Sequence, residues 1–154
     1  MPLCYKVSPE LNMILYIGKG YLTPPDFFSL EEAAFHKLPR PKGIITLVDL
    51  LEASTSFELD DIHHFINNIN RMAERGLEPG PYVMLTNDWG LHLLAQAVNL
   101  MPSKVDLKAR MYATLHEAID KLGLSKREQE IVQLWNECRI ELQASPTGQQ
   151  MPVR

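Results

Sequence analysis

Three short segments of this chain are apolar at almost every position, and two others are apolar at every second position. The first kind covers residues 13–17, 44–48 and 82–85. A strand with this composition is typically buried on both faces, as inside a parallel sheet. The second kind covers residues 3–7 and 104–112, where polar and apolar side chains alternate. Such a strand has one face in water, which predicts a place at a sheet edge.

Helical patterns separate these predicted strands. Thr23 precedes two prolines, which are tolerated in the first turn of a helix and so predict a helix start. Thr55, Thr114 and Ser125 are each followed three residues later by Glu, a spacing that predicts three further helix starts. One more helix, predicted over 89–101, is apolar nearly all round, which predicts that it is buried or pressed against a partner. The predicted order is therefore β, β, α, β, α, β, α, β, α, α.

Local residues predict where the inner strands end. Gly18 and Gly20 follow the second strand and are predicted to terminate it. Asp49 is predicted to mark the end of the third strand. The chain after Asp49 is then predicted to be a loop that leads to the helix start at Thr55.

The element order predicts the topology of the sheet. Strands that alternate with helices form a mainly parallel sheet with right-handed crossovers, and crossovers that proceed one way place their helices on one face. The amphipathic strands then lie at the edges, the first one antiparallel in a hairpin. The second face needs a cover, which either the C-terminal helix with Trp135 or a second subunit supplies. We predict an α/β domain with a five-stranded, mainly parallel sheet in sequential order, and a homodimer.

Length, charge and cysteine spacing limit the classes of function. A chain of 154 residues fits one core, predicted over residues 1–142 with a C-terminal helix from about residue 125 and a disordered tail at 143–154. The net charge of −4, without a Lys/Arg cluster, argues against a nucleic-acid partner. No apolar run could span a bilayer and no signal peptide is recognisable, which predicts a cytoplasmic protein. Cys4 and Cys138 are predicted to be free thiols, and neither a metal nor a cofactor is predicted.

Several segments together resemble one bacterial family. They are the opening hairpin, the central strand that reaches Asp49, and the stretches YVMLTNDWGLHLLAQ and KARMYATLHEAIDKLGL. Over residues 3–124 this layout resembles the SpoIIAA-like or STAS-like proteins. The resemblance implies a strand–helix superhelix with helices on one side, and a non-enzymatic protein-interaction or regulatory module. Lipid-binding relatives of the fold imply an alternative, a carrier of a small apolar or lipid-like ligand between helix 89–101 and the sheet.

Ser54, Thr55 and Ser56 form a candidate phosphorylation or anion-binding site. They are predicted at a helix N-terminus, whose dipole and free N–H groups favour a phosphate. Ser and Thr are also ordinary N-cap residues, and three acidic residues already place negative charge in the predicted first turn. Plain helix capping is therefore the alternative interpretation.

A candidate cleft is predicted at the carboxyl ends of the strands, the usual binding edge of a parallel α/β sheet. Its predicted lining residues are Asp49, Tyr21, Asn87, Asp88 and Trp89. The alternative interpretation is a helix cap followed by a core tryptophan. An enzyme that uses Asp49 with His64 or His92 is a further alternative, although the sequence contains no nucleophile elbow.

The last predicted helix carries an apolar stripe, which is the candidate interface with a second subunit or another protein. The stripe consists of Ile131, Leu134, Trp135, Cys138 and Leu142. The spacing of these residues places them on one face of a helix. The protein partner itself is not predicted from the sequence.

Overall fold

The computed structural model describes residues 3–35, 42–76, 78–100 and 109–144. The strands are β1 (Leu3–Ser8), β2 (Met13–Leu22), β3 (Lys42–Thr55), β4 (Glu78–Leu85) and β5 (Ala109–Tyr112). The α-helices are α1 (Pro24–Phe35), α2 (Leu59–Glu74), α3 (Trp89–Leu100), α4 (Leu115–Lys121) and α5 (Glu128–Ala144). A single 3₁₀ turn, Ser125–Arg127, precedes α5.

The five strands form one sheet in the order β1-β2-β3-β4-β5, so the predicted sequential order is confirmed. β1 is antiparallel to β2, and the remaining pairs are parallel. Leu15 lies opposite Leu47, which lies opposite Val83, so the inner strands align their apolar residues across the sheet. Because each of these strands is apolar on both sides, the sheet carries two apolar faces.

The two faces of the sheet have separate cores. Helices α1, α2 and α3 cover one face, and α4 and α5 cover the other. The buried core of the first face contains Leu3, Ile14, Tyr16, Leu22, Phe27, Ile44, Val48, Leu50, Ile69, Met72, Tyr82 and Leu91. The buried core of the second face contains Leu11, Met13, Leu15, Ile17, Leu47, Val83, Leu85, Ala118, Ile119, Ile131 and Cys138. Of the two predicted covers for the second face, the C-terminal helix is therefore the one present in this chain.

Two strands are longer than predicted. β2 passes through Gly18 and Gly20 to Leu22, and β3 passes through Asp49 to Thr55, so both predicted strand ends were wrong. The physical reason is an irregularity in their pairing, because Ile17 pairs with Asp49 and Lys19 with Glu52, which leaves one extra residue in β3. A bulge of this kind absorbs the extra residue and lets the ladder continue.

Two of the predicted capping boxes are also wrong. α2 begins at Leu59 with Glu58 as its N-cap, and the Asp61 carboxylate accepts the Glu58 N–H at 2.8 Å, so Thr55 does not start this helix. Ser125 lies in the 3₁₀ turn and its hydroxyl hydrogen-bonds to Asp120. The predicted helix start at Thr114 is confirmed, since the Thr114 hydroxyl accepts the Glu117 N–H at 3.1 Å. The Glu117 carboxylate accepts the Ala113 N–H rather than that of Thr114, so the reciprocal bond of a capping box is not formed.

Parts of three predicted elements lie outside the described residues. They are residue 101 of the helix predicted over 89–101, residues 104–108 of the predicted last strand, and residues 145–154 of the predicted tail. The described part of the last strand, Ala109–Tyr112, pairs only with β4 and forms an edge of the sheet, as predicted.

Gly80 in β4 faces the backbone of Gly43 at close range. A Cβ atom at Gly80 would lie 2.8 Å from the Gly43 carbonyl carbon and 2.9 Å from its oxygen. We expect Gly80→Ala to lower the free energy of unfolding by about 2 kcal/mol, because backbone atoms cannot rotate away. Urea unfolding followed by circular dichroism measures this loss.

Gly18→Ala is the matched comparison. Its Cβ would be as close, 2.6 Å from Leu22 and 2.9 Å from Leu50, but it would meet the ends of their side chains. These ends can change rotamer, so we expect a smaller loss of stability at Gly18. Equal losses at Gly18 and Gly80 would contradict the interpretation that the Gly80–Gly43 approach is rigid.

Candidate functional site

Helix α3 begins at the carboxyl end of β4, where two short polar residues arrange the turn. The Thr86 hydroxyl accepts the Asp88 N–H at 2.9 Å, and the Asp88 carboxylate accepts the Gly90 N–H at 2.8 Å. Asp88 thereby satisfies a backbone donor that the first turn of a helix leaves free. The predicted cap before this helix is therefore observed, with Trp89 as the first helical residue.

The inner side of α3 lies over an apolar cavity of about 70 Å³. Leu91 is the one buried residue of α3, while Leu94, Ala95 and Val98 are half-buried above the cavity. Their spacing of three and four residues places them on one side of the helix. α3 thus covers the sheet without filling the space beneath it.

The walls of the cavity come from α1, α2, α3 and the strands β4 and β5. Its lining residues are Phe27, Phe28, Phe57, Asp61, Ile62, Phe65, Tyr82, Met84, Leu91, Leu94, Ala95, Val98, Ala109, Arg110 and Met111. Asp61 is already used in the first turn of α2, where it accepts the Glu58 N–H. The surface that a bound molecule would contact is therefore almost entirely apolar.

One end of the cavity is built from aromatic rings. Phe57 lies 6.1 Å from both Phe27 and Phe28, measured between ring centroids, and His64 lies 4.8 Å from Phe28. Tilted and edge-on pairs of this kind hold rings in defined positions. The aromatic wall joins α1 to the start of α2 and gives the cavity a firm side opposite α3.

The outer side of α3 is apolar and exposed, so of the two predicted settings for this helix, burial within the chain is wrong, and contact with a partner stays a prediction. Trp89 is 71% exposed, Leu93 51% and Leu100 86%, and Trp89 stacks on His92 at 6.0 Å. The alternative interpretation of Trp89 as a core tryptophan is wrong for the same reason. We call Trp89, Leu93 and Leu100 the outer stripe of α3.

The structure does not bring the predicted cleft residues together as one lining. Asp49 is only 5% exposed, and its carboxylate accepts the Leu51 N–H at 3.0 Å and the Trp135 indole N–H at 2.7 Å. Tyr21 is exposed and hydrogen-bonds to Ser56 at 2.7 Å. Asn87 and Asp88 lie exposed in the turn before α3. Asp49 therefore acts within the core, joining β3 to α5.

The three hydroxyl residues predicted as an anion site lie before the helix rather than at its first turn. Ser54 and Thr55 belong to β3, Ser56 follows in the loop, and α2 begins at Leu59. Ser54 and Ser56 are exposed. Their phosphorylation stays a prediction, but the N-terminal amides of α2 that motivated it belong to later residues.

The five residues predicted as an interface pack inside the chain. Ile131 and Cys138 are fully buried, and Leu134, Trp135 and Leu142 are half-buried against the core of the second sheet face. The Arg139 guanidinium also covers the Trp135 ring at 4.7 Å. The apolar stripe of α5 is thus used to cover the sheet, and the homodimer stays a prediction.

The residues considered for catalysis lie on opposite faces of the sheet. Asp49 bonds to Trp135 on the α5 side, whereas His64 on α2 and His92 on α3 belong to helices of the other side. Within the described ranges, no group of three or more His, Cys, Asp or Glu side chains is placed to hold a metal ion. The arrangement brings no nucleophile and base together among these three residues.

The family resemblance implied, as an alternative, a pocket between the helix at 89–101 and the sheet, and the cavity lies between these elements. Phe57, Ile62 and Phe65 were not predicted to line it. The consecutive Phe27 and Phe28 in the first half of α1 were a usable signal of aromatic content. Which rings share a wall depends on how α1 and α2 pack, which no local pattern specifies.

The comparisons with known proteins include a solved structure that is similar to this chain. No protein-family model and no curated protein matches this chain. A solved structure from Shewanella loihica PV-4, an uncharacterized protein from the DUF3478 family with a SpoIIAA-like fold, is similar to it at 16% identity and a TM-score of 0.49. The similarity covers 78% of this chain and 93% of that chain.

In the described part of this chain, every helix is too short or too polar to cross a membrane.

Proposed function

We propose that this protein binds a small apolar or lipid-like molecule in the cavity under α3. The observation that carries the proposal is the cavity itself, which is bounded by an aromatic wall, the sheet and a helix that buries one of its residues. A natural core is packed without spaces larger than a water molecule, so an apolar space beneath a poorly packed helix favours an occupant. An apolar lining selects hydrocarbon or aromatic groups over polar ones.

The size of the cavity indicates how a ligand would enter. At about 70 Å³ it is smaller than the roughly 300–1,000 Å³ pockets that hold drug-sized ligands. A ligand with an acyl chain would therefore displace α3 outward. The end of α3 is held, because the Asn99 side chain forms two hydrogen bonds with the backbone of Ala109, at 2.9 and 2.8 Å. Displacement is therefore expected at the opposite end of α3, which begins with the exposed Trp89.

The test is to fill the cavity from α3. Ala95→Leu adds bulk where the helix faces the space, and we expect at least about a tenfold weaker affinity for a fluorescent fatty acid. Leu93→Ala is the matched control, since Leu93 lies on the outer stripe and is 51% exposed. Leu93→Ala should leave the affinity unchanged, and native mass spectrometry should find the fatty acid at one molecule per chain.

Two outcomes would count against the carrier proposal. If the wild-type protein did not bind the fatty acid at all, the carrier proposal would be wrong. If Ala95→Leu and Leu93→Ala weakened the affinity for the fatty acid equally, the ligand would bind on the outer surface of α3 and not in the cavity. Thermal unfolding of both variants checks that each is folded, and cavity filling is expected to leave Ala95→Leu at least as stable as the wild type.

A second candidate function is the protein-interaction module implied by the family resemblance. The observation that favours it is the outer stripe of α3, because exposed apolar side chains that lie together on one helix often mark an interaction surface. In a homodimer, the outer stripe of α3 would form the interface between the two subunits. Sedimentation of the wild type against Leu93→Glu tests the homodimer: a dimer that the substitution converts to monomer supports it, and a wild-type monomer at every concentration argues against it.

A further inference from the structure

The fold brings together two cysteines that stand at opposite ends of the sequence. Cys4 lies on β1 and Cys138 on α5, and both belong to the core of the second sheet face. Cys4 packs against the cluster of buried residues that contains Cys138, and Cys138 lies one helical turn before Glu141 on α5. The side chains of Lys6 and Glu141 stand beside them, with the Lys6 ammonium 2.7 Å from the Glu141 carboxylate and the Cys4 sulfur 3.8 Å from the same oxygen.

We propose that Cys4 and Cys138 form a reversible disulfide that fastens α5 to the edge strand β1. Both thiols are free, and α5 already packs against β1, so the bond would join two elements that are in contact. The oxidant is a small disulfide of the glutathione class. Since α5 is the element that covers the second sheet face, the bond would hold that cover in place.

The two cysteines have different parts in the reaction. Cys4 is half-buried and within reach of a small molecule, whereas Cys138 is fully buried. The neighbouring Cys138 thiol lowers the pKa of Cys4, and the Lys6 ammonium lowers it further against the opposing effects of burial and Glu141. The neighbouring Cys4 thiol and burial raise the pKa of Cys138. Cys4 is therefore the attacking thiolate and Cys138 the resolving thiol.

The chemistry is thiol–disulfide exchange in two steps. The Cys4 thiolate attacks one sulfur of the small disulfide, which forms a mixed disulfide on Cys4 and releases one thiolate. Cys138 then loses its proton to the solvent or the departing thiolate, attacks the Cys4 sulfur and displaces the second thiolate. Two protein thiols are oxidised to one disulfide, and one small disulfide is reduced to two thiols.

The test uses the full chain in buffers of reduced and oxidised glutathione. The expected product has no disulfide between chains, lacks the mass of two hydrogens, and yields on digestion one cross-linked pair of peptides that contain Cys4 and Cys138. We expect its melting temperature to rise by roughly 10 °C, because the bond closes a loop of more than 100 residues, and dithiothreitol to reverse the rise.

Single variants separate the two roles. Cys138→Ala should retain glutathione on Cys4, and Cys4→Ser should take up none, because the remaining thiol is buried. Glutathione that stays on Cys4 of the wild type would overturn the proposal, as would a disulfide formed only between two chains. Even if a variant fails to fold, the peptide map of the wild type shows whether Cys4 and Cys138 form the disulfide.

Discussion

Ile131→Asp is expected to lower the free energy of unfolding by about 5 kcal/mol, the largest loss that we predict for one substitution in this chain. Ile131 lies on α5 with no exposed surface and packs in the core of the second sheet face. A carboxylate there would be buried without a partner, and the cavity left by the isoleucine would add to the cost. Because small domains are stable by about 5–15 kcal/mol, such a loss would unfold much of the protein.

The same substitution on the opposite side of α5 provides the control. Ile140 is 63% exposed, and Ile140→Asp should change stability by no more than about 0.5 kcal/mol. Urea unfolding followed by circular dichroism measures both variants. If Ile131→Asp were as stable as Ile140→Asp, α5 would not be packed on the sheet and the second face would need another cover.

The next largest effect is expected where Asp49 joins β3 to α5. Asp49→Ala should cost about 3 kcal/mol, because it leaves the buried indole N–H of Trp135 and the backbone N–H of Leu51 without their acceptor. Trp135→Phe should cost less, about 2 kcal/mol, since it removes one donor and part of a half-buried ring.

A double-mutant cycle isolates the hydrogen bond between the two side chains. The double variant Asp49→Ala with Trp135→Phe should be more stable than the sum of the two losses implies, by about 1.5 kcal/mol. Strictly additive losses would show that the 2.7 Å contact contributes nothing to stability. Asp49→Asn, which keeps an oxygen acceptor at this position, should lose less than Asp49→Ala.

The sequence was informative where the cause of a structure is local. Apolar runs at 13–17 and 44–48 directly indicate strands that are buried on both faces, because every side chain of an inner strand packs against another layer of the protein. The alternation of polar and apolar residues at 3–7 indicates a strand at the edge of the sheet in the same way. Strand order followed from these differences, and so did the need for a cover on the second face.

The sequence was misleading where the cause lies in another part of the chain. Asp49 was predicted to end a strand, and aspartate is depleted in strands, yet it is held inside β3 by Trp135, a partner 86 positions away. Thr55 and Glu58 have the spacing of a capping box, but pairing of Thr55 with Leu22 keeps that residue in β3. In both cases a tertiary contact outweighed a local preference.

The sequence by itself determined a five-stranded sheet in chain order with two apolar faces, because the burial of each strand is recorded in its own residues. Only the tertiary structure decided what covers the second face and which helix leaves apolar side chains in water. It also decided that Cys4 and Cys138 lie in the same core. These outcomes depend on how the helices pack on the sheet. Packing is a relation between surfaces distant in sequence, and many pairings satisfy the same periodic pattern.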